Sequence, residues 1–196
     1  MTANMNGDRV IINTAGFLRS FGVGLMGVVL GIYLSRSGYS AFQIGAVVAS
    51  GLAGSALATT LVGSAADQFG RNAFFFSSVL TALGGLVLYA LPNFPLLLAT
   101  VLVAMLNATG TERSAIFALE QAVIPGLGSD SRRTWNLAFY NVLLDGGGSL
   151  GALAAGLPLI LQRHFGFELL RAYQLLFIGS LHSIWLWADS TCFSLP

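Results

Sequence analysis

Between Val10 and Leu34 the chain runs for 25 residues with a single charge, Arg19, and stretches of the same kind recur along its length. A hydrocarbon core ~30 Å thick is crossed by roughly 20 apolar residues of helix. Lipid offers backbone groups no hydrogen-bond partner, so a run this long is compatible with little else than a spanning helix. Six such stretches lie between charged or turn-like breaks: Val10 to Leu34, Ala41 to Ala66, Ala73 to Leu91, Phe94 to about Pro125, Trp135 to Leu161, and Ala172 to Ala188. Of all residues, 55% are hydrophobic and 9% charged, against roughly 25% charged in a soluble domain. The expected fold is therefore an all-α membrane protein, a single bundle over residues 1–196 with six transmembrane helices.

The breaks carry turn chemistry: Ser37-Gly38, Gln68-Phe69-Gly70, Pro92-Asn93, and Gly126 to Ser131. They are short, so neighbouring helices should be antiparallel. The fourth stretch is too long for one simple span, and Thr109-Gly110-Thr111 predicts a broken or extended helix there. Small residues recur every four positions at Gly27 and Gly31, at Gly51, Ser55, Thr59 and Gly63, and at Gly147, Gly151 and Ala155. Stripes of this kind let helices pack closely in lipid. With the N-terminus in the cytoplasm, Arg9, Arg71, Arg132 and Arg133 fall inside and Arg36, Arg163 and Arg171 outside, the sense of the positive-inside rule. A bacterial inner (plasma) membrane is the expected location.

Several function classes drop out. All nine basic residues are arginine and the net charge is +1, so no basic stripe awaits nucleic-acid phosphates. Cys192 has no second cysteine to pair with. The first apolar run exceeds the 7 to 15 residues of a signal-peptide core, so helix one should be retained. His164 and His182 have no cysteine or carboxylate at ligand spacing, so no metal and no cofactor is expected. No HExxH, GxSxG, P-loop or dinucleotide fingerprint occurs, and the chain is not expected to be an enzyme.

The informative residues are charges inside the spans. Arg19 is the tenth of 25 residues in stretch one, Asp145 the eleventh of 27 in stretch five, and Glu112 and Arg113 lie within stretch four. A charge near the bilayer centre costs at least ~2.5 to 3.5 kcal/mol unless it has a partner or a watery cavity. At ~1.5 Å of rise per residue, Arg19, Asp145 and Glu112 share a level roughly 15 Å from the cytoplasmic face. Asn141, one turn before Asp145, could line the same pocket or make an interhelical hydrogen bond. A structural salt bridge among helices one, four and five and a substrate or proton site are both open readings. Arg113 points about 100° away from Glu112 and stacks above Glu120, which predicts a local pair. Helix three has no charge and helix six only His182, so both should face lipid.

The turn Gly63-Ser-Ala-Ala-Asp67-Gln-Phe-Gly70-Arg71-Asn72 resembles the signature loop between helices two and three of the major facilitator superfamily. Gln68 and Asn72 depart from it, standing where the family has lysine or arginine. Close helix approach at Gly63, the turn at Gly70 and pairing of Asp67 with Arg71 explain the residue types. Gly110 to Glu120, Ser131 to Thr134 and Trp135 to Asn141 also look like helices four and five of bacterial members, although the antiporter glycine-proline pair is absent at Gly156-Leu157-Pro158. The resemblance implies half of a twelve-helix fold, with two three-helix repeats at about 10–91 and 94–188. It implies secondary active transport of a small solute by alternating access. Arg19, Glu112, Asp145 and Asn141 would then line the cavity, and Gly63, Asp67, Gly70, Arg71 and Glu120 would form a cytoplasmic latch. The implied partners are the lipid bilayer, the solute, protons if Asp145 couples them, and a missing C-terminal half or a second copy. A truncated chain is expected on this view, and a non-transporting scaffold or remnant is the alternative.

Overall fold

The computed structural model describes residues 5–60, 93–103, 117, 120, 121, 123–126 and 130–165, and all regular structure among them is helical. In chain order these are α1 (Met5–Arg36), α2 (Ala41–Thr60), α3 (Phe94–Val103), α4 (Arg133–Ala154) and α5 (Leu157–Phe165). Two 3-10 turns, Ile124–Gly126 and Asp130–Arg132, lead into α4. Three helical spans in the described residues are long and apolar enough to cross a membrane: Arg9–Arg36, Ala41–Thr60 and Arg133–His164. Stretch three, the middle of stretch four and stretch six lie outside the described residues, as does the loop from Gly63 to Asn72.

The first break forms as its residues dictate. Gly38 takes φ +89°, a left-handed conformation open to glycine at little cost. The Tyr39 N–H then donates to the Leu34 carbonyl at 3.1 Å and the Gly38 N–H to the Ser35 carbonyl at 3.2 Å, closing α1 with a Schellman turn. Ser40 and Gln43 start α2 with a reciprocal cap: the Ser40 N–H donates to Gln43 Oε1 at 2.9 Å and the Gln43 N–H to Ser40 Oγ at 3.3 Å. Asn93 starts α3 by accepting the Leu96 N–H at Oδ1, 3.3 Å away.

Stretch five was expected as one helix from Trp135 to Leu161, but it breaks at Ala155–Gly156. Pro158 supplies the reason: it has no N–H for the carbonyl of Ala154, and its ring would collide with that carbonyl in a continuous helix. Tighter bonds, Gly156 N–H to Leu153 O and Leu159 N–H to Gly156 O at 3.2 Å each, carry the chain across.

Two parallel helix pairs organise the packing. In the first, a Cβ placed on Gly151 of α4 would lie 1.9 Å from the Phe21 carbonyl oxygen of α1, and one on Gly147 would lie 2.5 Å from that of Phe17. In the second, a Cβ on Gly54 of α2 would lie 2.0 Å from the Leu102 carbonyl of α3, and Ser50 Oγ donates to the Leu98 carbonyl at 2.8 Å. Ser50 and Gly54 thus stand to Leu98 and Leu102 as Gly147 and Gly151 stand to Phe17 and Phe21. Backbones this close exclude larger side chains and gain dispersion over many atoms, the main attraction between helices in lipid. Of the expected small-residue stripes, Gly147, Gly151 and Ala155 are buried, whereas nothing approaches Gly31 within 4 Å.

Two apolar clusters hold opposite ends. Leu25, Val29, Leu30, Tyr33 and Leu34 of α1 pack with Val47 of α2, Leu97 and Val101 of α3 and Ala155. At the other end Ile12 of α1 packs with Ile124 and with Tyr140 and Leu144 of α4, flanked by Phe117 and Leu137. Large apolar side chains such as Phe42, Leu57, Trp135, Val142 and Leu153 point outward, the pattern of a surface that meets lipid rather than water.

Candidate functional site

The first polar tie across the α1–α4 seam is at Leu144. There Ser20 Oγ donates to the Leu144 carbonyl at 2.6 Å, tying the two helices directly. Gly16 leaves room for the Tyr140 ring, whose Cε2 would lie only 2.7 Å from a Cβ at that position. The ring therefore lies against the α1 backbone, with its hydroxyl at the level of Arg19.

Arg19 meets a carboxylate there, and it is Glu120. Its Nη1 donates to Oε1 at 2.9 Å and its Nη2 to Oε2 at 2.5 Å, a two-pronged pair. The Tyr140 hydroxyl accepts from Arg19 Nη2 at 3.2 Å and donates to Glu120 Oε2, so the three groups close a ring of hydrogen bonds. The side chains of Arg19 and Glu120 are 13% and 5% exposed. The bidentate geometry matches the planar guanidinium to both carboxylate oxygens. The pair is neutral as a unit, which is how two charges can stay at this depth. Three segments meet in it: α1, the helical stretch containing Glu120, and α4.

The other sequence-predicted residues fall elsewhere. Asp145 was expected near Arg19; it lies at the expected level, but α4 turns it to the exposed side, and its carboxylate makes no hydrogen bond or ion pair among the described residues. Asn141 is exposed too, with Nδ2 donating to the Leu137 carbonyl at 2.9 Å and Oδ1 accepting from Gln121 Nε2 at 3.2 Å, the interhelical bond that was one of its two readings. Glu120 was assigned to a latch with Arg71, and Arg113 to a local pair with Glu120. Arg71 and Arg113 lie outside the described residues, as do Glu112, Gly63, Asp67 and Gly70. No three His, Cys, Asp or Glu side chains gather as a metal site among the described residues.

At 100° per residue, Asn141, Asp145 and Ser149 form a polar stripe about 100° to 180° around α4 from Tyr140. Phe139, Leu150 and Leu153 form an apolar stripe on its far side, and all six are exposed. Helix α4 thus has three faces: one packed on α1, one polar and one apolar.

Sequence reasoning missed Tyr140 and Ser20. The signal for Tyr140 was present: it shares a face with Gly147 and Gly151, and a tyrosine on the packed face of an apolar helix must find a partner for its hydroxyl. Comparison with known protein families, with characterised proteins and with solved structures gives no match to this chain.

Proposed function

We propose that the chain forms one six-helix half of a secondary transporter of the major facilitator type, moving a small solute across a membrane by alternating access. Asp145 carries this reading. Its carboxylate lies midway along a helix long enough to cross the bilayer, exposed and without a hydrogen-bond or ion-pair partner among the described residues. Left against lipid it would cost at least ~2.5 to 3.5 kcal/mol, so a water-filled cavity is the environment that suits it. Asn141 and Ser149 extend the same polar wall. The matching contacts of α1 with α4 and of α2 with α3 suit a bundle of two related three-helix units, the plan of such carriers. The cavity would be closed by a C-terminal half or a second copy, and the N-terminus would lie in the cytoplasm. The closed ring of Arg19, Glu120 and Tyr140 favours a second reading for that cluster alone, a lock that holds α1 and α4 to the segment between them.

Thiol accessibility tests the reading without knowledge of the solute. With Cys192→Ser as background, Asp145→Cys and Leu150→Cys are compared in lipid vesicles for reaction with a charged, membrane-impermeant thiol reagent. A residue in an aqueous cavity reacts at least tenfold faster than one in lipid; equally slow labelling of both positions would reject the cavity. In a transporting protein Asp145→Asn should abolish transport while membrane insertion stays unchanged.

A further inference from the structure

A buried polar side chain on the α1–α4 seam takes no part in the ring of Arg19, Glu120 and Tyr140. Asn136 lies on the packed face of α4, one turn before Tyr140, and is 3% exposed. Among the described residues neither its Nδ2 nor its Oδ1 has a hydrogen-bond partner. Steps of one turn along both helices, from Ser20 beside Leu144 to Gly16 beside Tyr140, bring Ile12 opposite Asn136. Ile12 is itself buried and belongs to the cluster with Ile124 and Tyr140. Ile12 therefore offers the amide no hydrogen-bond partner.

A buried primary amide has two N–H donors and an acceptor oxygen. Leaving all of them unmade is among the costliest arrangements a core can hold, and natural cores resolve it with a partner or an ordered water. An isosteric leucine would fill this position without that cost. We propose that Asn136 marks an internal hydration site, in which one or two waters bind the amide and reach toward the Tyr140 hydroxyl that Arg19 and Glu120 share. Asn136 and Tyr140 are four residues apart on one face of the helix, so their side chains are neighbours. The Tyr140 oxygen already donates one bond and accepts one, which leaves it a lone pair for such a water. The site makes the ion pair wet from one side although Tyr140 is fully buried.

Hydroxyl-radical footprinting of the purified chain in lipid nanodiscs tests this, because radiolysis of a bound water oxidises the side chains beside it. Tyr140 should be oxidised at least tenfold faster than Tyr33, which is equally buried in the apolar cluster at the other end. Asn136→Leu should reduce Tyr140 oxidation to the Tyr33 level, and Asn136→Ser, which keeps a hydroxyl, should retain most of it. A pulse of oxygen-18 water before irradiation should place the heavy isotope on Tyr140, showing that the bound water exchanges. If Tyr140 is oxidised no faster than Tyr33, or if Asn136→Leu leaves its oxidation unchanged and raises thermal stability, the amide is a dry, unpaired group and the proposal fails. None of these readouts involves transport, so their failure would leave the transport reading standing.

Discussion

Removing one partner of the Arg19–Glu120 pair should cost far more than removing both. Both side chains are largely buried, and the two-pronged bond leaves each charge with the other as its main compensation. Glu120→Leu alone takes the carboxylate from a largely buried guanidinium, and Arg19→Met alone leaves a carboxylate that keeps, among the described residues, the bond from the Tyr140 hydroxyl. An uncompensated charge at this depth costs about 3 kcal/mol, a magnitude on which buried-pair mutagenesis and membrane-insertion scales agree. The Arg19→Met, Glu120→Leu double variant replaces the pair with apolar groups of similar size and should lie within about 1 kcal/mol of the native chain. The cycle then gives a coupling of about 5 kcal/mol or more. Reversible unfolding in mixed micelles of mild detergent and dodecyl sulfate measures it, with loss of helicity as the signal. Single variants whose costs add to that of the double variant within about 0.5 kcal/mol would refute the claim that these charges depend on each other.

Two smaller perturbations follow from the same geometry. Tyr140→Phe removes the hydrogen bond donated to Glu120 and the longer one accepted from Arg19 without opening a cavity, so the same unfolding assay should show a loss of at least about 1.5 to 3 kcal/mol; no loss would mean that the hydroxyl does not bind Glu120. Gly151→Ala places a methyl group 1.9 Å from the Phe21 carbonyl oxygen and should abolish the folded fraction or force the helices apart, whereas Gly146→Ala meets nothing within 4 Å and should leave the unfolding midpoint unchanged. Equal effects of the two would overturn the close approach of α1 and α4.

Much of the fold was legible because lipid makes few demands and makes them everywhere. Length and apolar content fixed where helices such as α1 and α2 lie, and Ser37-Gly38 and Pro92-Asn93 announced breaks through local chemistry that needs no tertiary context, whereas the Ser40–Gln43 cap was not read. The break after Ala154 was legible in Pro158 but is easily overlooked, because the apolar run continues across it. The site was harder. Depth along a helix can be counted, so Arg19 and Asp145 were correctly set at one level, but rotation about the axis decides which groups meet. Rotation is fixed here by Gly16, Gly147 and Gly151, whose contacts depend on which helix lies opposite. Once α4 turns its glycine face to α1, Tyr140 comes with it and Asp145 turns away. The partner left to Arg19 then arrives from the segment around Glu120.

The second helix pair bears on whether the ion pair exists for packing. Helices α2 and α3 approach as closely as α1 and α4 do, with Gly54 against the Leu102 carbonyl and Ser50 bonded to that of Leu98, and no charge lies on either helix within the described residues. Close parallel packing in this protein therefore does not require Arg19 and Glu120. The charged cluster is an addition to one of two similar seams. This has a consequence for the charge-free double variant. Arg19→Met with Glu120→Leu should keep the α1–α4 seam, seen as unchanged slow amide exchange in Phe21 to Leu25 and Leu144 to Gly151, while a transporting protein that carries it loses transport. Fast exchange throughout that seam would show the ion pair to be the lock that holds it, and the structural reading would then prevail.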